Sequence, residues 1–349
     1  MTENNQPSKK IQWLFWLILA AFSTFFAEVF SGSDMFPFFH PFGLLVVVPL
    51  YGLHILLLAH LVYRTSQPGF SSLVFAGMIF GLYEAYLTKV LWAPPWGGAL
   101  IAAEIAPVET LVLVFWWHAW FSFIIPLLVT EVLFTGTNQV GAILPGKIGS
   151  FLNSWKGLAL LVIFGGVFQS INSPSVGRSL LSGVSTTAVL IGLTILWRRL
   201  TANQSYSFSE LLPDRRQFRW LLIPTALMYL VMGILLRPEA YPGLLGHLVI
   251  WILYGLSFAL LFYSLSSPKP INTADPTPAT PGLSRCSTHR WLMLAALFPL
   301  SAVLGELLLA PIAEPMALLF WFGGIAFGLW MFFKALRLTF RKEGVVQHD

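Results

Sequence analysis

Ten stretches dominated by Leu, Phe, Val, Ile and Trp divide the chain, at 11–31, 41–63, 70–92, 107–134, 157–173, 178–197, 219–236, 241–265, 291–310 and 315–335. Each comes close to the roughly 20 residues an α-helix needs to cross a hydrocarbon core about 30 Å thick. The segments between them are too short and polar to build a separate soluble domain. The pattern therefore predicts an all-α fold, a polytopic bundle of about ten transmembrane helices. It also suggests two modules: four helices in 1–156, carrying most of the intramembrane polar residues, and six in 157–349 with a proline-rich loop at 266–289. The first apolar stretch, Ile11 to Phe26, is longer than the hydrophobic core of a usual signal peptide and precedes no clear cleavage motif, so it is expected to be a retained helix.

Charge placement tests the span count independently. Threading ten spans puts all but Lys89, Arg178 and Arg237 of the 20 Lys and Arg residues on one side, beginning with Lys9 and Lys10. By the positive-inside rule that side is cytoplasmic, which places both termini there and the protein in a cell membrane. Composition agrees, with 56% apolar and 10% charged residues, against roughly 25% charged in an ordinary soluble domain. The net charge of +5 lies in short juxtamembrane clusters, which match anionic lipid headgroups and not nucleic acid. One such cluster, Arg215, Arg216 and Arg219, follows a capping-box pair, Ser207 and Glu210. The single cysteine, Cys286, leaves no intrachain disulfide to consider.

Ionisable groups inside spans are costly and need a reason to be there. Counting 1.5 Å per residue, Lys89 lies about 5 Å inside the far boundary and is expected to snorkel outward. Glu84 lies about 12 Å deep, where a short carboxylate must be protonated, paired or facing a wet cavity. His118 comes out about 16 Å deep, His247 about 9 Å, and Glu28 and Glu306 about 5 to 6 Å, all in the same half of the bilayer. Gln169 and Asn172 add amides near that level, whereas His54 is deeper and His60 and Glu131 lie toward the cytoplasmic ends.

Gly77, Gly81, Glu84 and Thr88 fall on one helical face, small and polar, which suits a close helix approach or a cavity wall. Pro126 cannot donate to the Ser122 carbonyl, so a freed carbonyl is expected beside the His118 imidazole one turn away. Together these residues predict an outward-facing polar pocket containing Glu28, Glu84, Lys89, His118, Ser122, His247 and Glu306, with Glu84 and His118 as proton-linked, ligand-binding or catalytic candidates. Glu84 and two histidines would match the donor types of a catalytic zinc site, but no H-E-x-x-H or other local pair supports a metal. No hydrolase elbow, phosphate loop or dinucleotide fingerprint occurs, and no pattern requires a cofactor.

The segments FAEVFSGSDMFPFFHP (26–41), PLYG (49–52), GLYEAYLTK (81–89) and HAWFSFIIPLLVTEVLF (118–134) resemble a family of uncharacterised prokaryotic multi-pass membrane proteins. That resemblance spans about the first 40% of the chain and implies no particular activity. The family's third-span motif is similar to E-E-G-x-x-x-K, so Tyr83, Glu84, Ala85 and Lys89 would occupy its fixed positions, with a tyrosine replacing the first glutamate. A fainter similarity links the same stretch to CAAX-type intramembrane proteases, whose E-E-x-x-x-R glutamates activate water. Tyr83 and Thr88 stand at two of those positions. The sequence thus leaves three functions open: transport or binding of a small solute, ion or lipid-linked compound, intramembrane hydrolysis, or a structural role in a membrane complex.

Overall fold

The computed structural model describes residues 6–64, 68–201, 204–266 and 287–341. Among these described residues ten apolar helices follow in order: α1 (Lys9–Val29), α2 (Gly43–Arg64), α3 (Phe70–Tyr86), α4 (Pro107–Phe134), α5 (Trp155–Ile171), α6 (Val176–Thr201), α7 (Arg215–Leu235), α8 (Leu244–Ser266), α9 (Thr288–Leu309) and α10 (Ala313–Phe340). Eight are long and apolar enough to cross a membrane, and α3 and α5 are shorter. Among the described residues no strand forms beyond one isolated bridge between Ala102 and Ile105. Residues 267–286 of the proline-rich stretch, with Cys286, lie outside the described residues.

Helix starts follow their capping chemistry. Ser8 and Ser154 accept from Ile11 N and Gly157 N with their hydroxyls. At α7 the Asp214 carboxylate accepts from Gln217 N at 2.8 Å while the Gln217 amide oxygen accepts from Asp214 N at 2.7 Å, a reciprocal capping box. Burial then sorts the helices. In the most apolar part of α1 and α4, 78% and 83% of residues are buried, whereas α7 has 6% and α10 has 17%. The first four helices are therefore the inside of the bundle, and α7 and α10 present apolar side chains outward, as lipid-facing helices do.

The core depends on glycines where α3 meets α4. A Cβ on Gly77 would come within 2.8 Å of Ala119 Cα, and one on Gly81 within 2.8 Å of Val114 Cα. Only hydrogen side chains allow that approach. Along α4 the backbone is not α-helical throughout. Leu111–Ile124 is a π-helix between α-helical ends, and shorter π segments occur at Phe25–Val29 and Gly43–Val47. Such widened turns are uncommon and concentrate at functional sites.

Span three departs from the expected 70–92. The α-helix closes at Gly81, where Leu82 N is shared between the Met78 and Ile79 carbonyls at 3.2 and 3.3 Å. One further turn, Tyr83–Tyr86, follows before regular structure stops. Lys89 then takes φ +61°, and Ala103 and Glu104 also have positive φ. A depth counted at helical rise from residue 92 is consequently invalid for Lys89 and for Glu84, which lies two residues before the helix ends.

Candidate functional site

Four helices each supply part of one buried hydrogen-bonded chain. Glu28 comes from the π turn of α1, Tyr51 from α2, Tyr83 and Glu84 from the last turn of α3, and His118 and Ser122 from the π segment of α4. The Tyr51 hydroxyl donates to Glu28 Oε1 at 2.6 Å and lies 2.8 Å from the Tyr83 hydroxyl. Tyr83 Oη is 3.4 Å from His118 Nε2, which is 2.8 Å from Glu84 Oε1. His118 Nδ1 meets Ser122 Oγ at 2.7 Å.

Both carboxyl groups are held as acceptors at both oxygens. Ser33 donates to the second oxygen of Glu28 and Thr88 to the second oxygen of Glu84. The ends of the chain differ from its middle. Glu28 and Thr88 are half-buried and Ser33 is exposed, while Tyr51, Tyr83, Glu84, His118 and Ser122 are buried. The arrangement is a short polar wire, dry at its centre, with contact to the surface at each end. Phe80 stacks parallel to the His118 ring at 6.3 Å and edge-on to Tyr83 at 5.9 Å, shielding the middle links.

The freed carbonyl at Ser122 does not meet the imidazole. It accepts from Ser23 Oγ of α1 at 2.6 Å, because α1 packs closely enough to reach it, and the Ser122 hydroxyl faces His118 instead. Nor does Lys89 snorkel. It is fully buried, and its ammonium donates to the Met232 and Gly233 carbonyls at 2.9 and 2.8 Å and to that of Leu236. The three acceptors are carbonyls at the C-terminus of α7, two of which also accept from Leu236 N and the Tyr241 hydroxyl, and a cation there is also favoured by the helix dipole. Arg237 reciprocates across this junction, donating to the Thr88 carbonyl at 3.1 Å and the Ala93 carbonyl at 2.5 Å.

The remaining sequence candidates sit elsewhere. His247 bonds the Tyr86 hydroxyl at 3.1 Å within a ring cluster containing Trp92, Tyr241 and Trp251. Glu306 accepts from Ser179 at 2.6 Å, tying α9 to α6. His54 donates to the Leu50 carbonyl at 2.7 Å and meets the Tyr229 hydroxyl at 3.0 Å. Gln169 donates to Ser182 and Asn172 to the Ser31 carbonyl. Glu131 is buried and accepts from Val140 N, Gly141 N, Gln139 N and Thr137 Oγ1. Among the described residues no three His, Cys, Asp or Glu side chains converge as a metal would require.

Sequence reasoning missed Tyr51 as a member. Its signal was present, since a tyrosine in the middle of an apolar span must find a partner for its hydroxyl. Tyr83 figured only as a departure from a glutamate pair, yet its hydroxyl joins the two halves of the chain.

Residues 17–341 match a family described as an uncharacterized membrane protein family. An uncharacterized protein of Archaeoglobus fulgidus (strain ATCC 49558 / DSM 4304 / JCM 9628 / NBRC 100126 / VC-16) is 31% identical over 329 residues, covering 93% of this chain and 97% of its own length. No solved structure matches.

Proposed function

The chain belongs to that uncharacterised membrane protein family, and from the geometry of its first four helices we propose that it carries protons in step with the transport or binding of a small solute or ion. The reading rests on one observation, the unbroken chain from Glu28 through Tyr51, Tyr83 and His118 to Glu84, in which no link exceeds 3.4 Å. Every link is a group that can both give and accept a proton, and buried titratable residues in a spanning helix are functional by default. The cell membrane is the proposed site, with the basic end of the bundle facing the cytoplasm.

The protons can be followed. With His118 neutral and protonated at Nε2, Ser122 donates to Nδ1 and Nε2–H donates to Glu84. The His118 Nε2 proton moves to Glu84, the emptied Nε2 lone pair takes the Tyr83 proton, Tyr83 takes the proton of Tyr51, whose hydroxyl turns from Glu28 to Tyr83, and Tyr51 takes the proton held at Glu28. The net change is one proton transferred from Glu28 to Glu84, with no charge left on either tyrosine. Half-buried Thr88 marks where Glu84 can exchange that proton with the surface; it lies at the same end of the bundle as Glu28, so the relay loads a proton on that face and passage to the other face requires the helices to move.

The test is proton uptake by reconstituted vesicles containing a trapped pH-sensitive dye, driven by an imposed potassium diffusion potential. Wild-type protein should raise uptake above that of empty vesicles, and Glu84→Gln and Tyr83→Phe should each reduce the increment at least tenfold. Equal uptake by wild type and both variants would remove the proposal.

A further inference from the structure

The relay leaves the opposite end of the bundle unexplained. There α2 ends at Arg64 and α7 begins at Arg215, and a cavity of about 600 Å³ opens between them, bordered by His60, Arg64, Asp214, Arg215, Phe218 and Arg219. Arg64, Arg215 and Arg219 are all exposed. Among the described residues, none of the three forms an ion pair. The one carboxylate on the rim, Asp214, is engaged at the start of α7, where it accepts from Gln217 N at 2.8 Å. The wall is rigid. The His60 ring stacks on Phe218 at 4.5 Å and 22°, and its Nδ1–H donates to the Pro213 carbonyl at 2.6 Å. That bond fixes the tautomer, so His60 adds a donor to the cavity only as imidazolium.

We propose that this cavity binds the phosphate of an anionic phospholipid headgroup. Guanidinium groups match phosphate oxygens with paired N–H donors, and three of them surround the space against one carboxylate, Asp214. The lipid assignment comes from what continues below. Arg215, Arg219, Ile223 and Leu227 follow one another at four-residue intervals, so they form a stripe on one face of α7. Ile223 and Leu227 are each 57% exposed, and Trp220 beside Arg219 is 63% exposed. A headgroup held by the arginines would therefore lay an acyl chain directly along apolar side chains that no other helix covers. A free phosphate would use the arginines and leave that stripe unused.

The experiment is native mass spectrometry of the detergent-purified full chain titrated with phosphatidylglycerol or with phosphatidylcholine of the same acyl chains. One phosphatidylglycerol should persist through excess phosphatidylcholine. The triple variant Arg64→Gln, Arg215→Gln, Arg219→Gln should lower its apparent affinity at least tenfold. Removing two other basic residues, Arg198→Gln with Arg199→Gln, should leave it unchanged. The single variants Arg215→Gln and Arg219→Gln should each weaken binding about threefold, so the site stays testable if the triple variant does not purify. Equal loss in the Arg198/Arg199 variant would show diffuse charge attraction and overturn the site, as would equal retention of phosphatidylcholine or unaltered single variants. Displacement of the lipid by millimolar inorganic phosphate would overturn the lipid assignment in favour of a soluble ligand.

Discussion

Substituting Glu84 two ways separates its electrostatic role from its packing. In Glu84→Gln the amide oxygen still accepts from His118 Nε2, and the new NH2 group faces Thr88 Oγ1, whose hydrogen can turn to the Glu84 backbone carbonyl 3.0 Å away. Two charge-assisted bonds become neutral ones, a loss of about 1 kcal/mol each. Against that, a carboxylate no longer has to be desolvated, which offsets a similar amount. The net change should stay within about 1 kcal/mol. Glu84→Ala is different, because it leaves the His118 Nε2–H with only the Tyr83 hydroxyl at 3.4 Å and opens a void. Breaking a buried pair from one side costs about 3–5 kcal/mol. At roughly 2 °C per kcal/mol for a long chain, thermal unfolding followed by intrinsic fluorescence in detergent should drop by about 6–10 °C for the alanine variant and by no more than about 2 °C for glutamine. Glutamine should nevertheless abolish vesicle proton uptake, since an amide cannot take the proton. An alanine variant that melts with the wild type would refute the buried pair. A glutamine variant that melts as low as alanine would show that the charge itself holds the fold, contrary to the offset argued above.

Three further substitutions test the frame around this pair. Lys89→Met should lower stability by about 1–3 kcal/mol, because the Leu236 carbonyl loses its donor while Met232 keeps Leu236 N at 3.0 Å and Gly233 keeps the Tyr241 hydroxyl at 2.7 Å; denaturation in mixed micelles measures it. Ser23→Ala should cost about 1–3 kcal/mol by orphaning the Ser122 carbonyl, and a fully wild-type melting curve would show that another donor reaches that oxygen. Gly77→Val should cost about 1–3 kcal/mol and loosen the α3–α4 contact, seen as faster proteolysis of the folded protein.

What the sequence made legible was whatever depends on one helix at a time. Long apolar runs located the ten helices because each must satisfy its own backbone in hydrocarbon, and Glu84 stood out because a carboxylate inside such a run has few excuses. The face of Gly77 and Gly81 was readable because small side chains four apart mark a close approach. Hidden from it was everything set by a departure from regular rise. The break at Leu82 turned Lys89 from a presumed surface residue into a buried cap on α7, and no residue between Gly81 and Lys89 is a proline or glycine that would have announced it. The π turns in α1 and α4 likewise carry no sequence signature, yet Glu28 and His118 sit on them. Tyr51 and Tyr83 were passed over because tyrosine is apolar by composition and polar only at one atom.

The break after α3 also changes what kind of burial Glu84 experiences. Its shelter from water is the protein, not depth in the bilayer. Leu87, Leu91 and Trp92 follow the helix end and are all buried, and Leu91 N donates back to the Glu84 carbonyl at 3.3 Å. This cover is tied down twice to the same place, by Lys89 on the last carbonyls of α7 and by Arg237 on the Thr88 and Ala93 carbonyls. Thr88 belongs to both arrangements, since its hydroxyl serves the Glu84 carboxylate while its carbonyl serves Arg237. Any movement of the α7 end relative to α3 must therefore disturb the group that links Glu84 to the surface. α7 is also the helix least held by the bundle, with 6% of its most apolar part buried, so the most lipid-facing helix is joined through two basic residues to a buried carboxylate. The Glu84 carboxylate and the end of α7 are consequently parts of one mechanical unit, in which Lys89 and Arg237 supply the links.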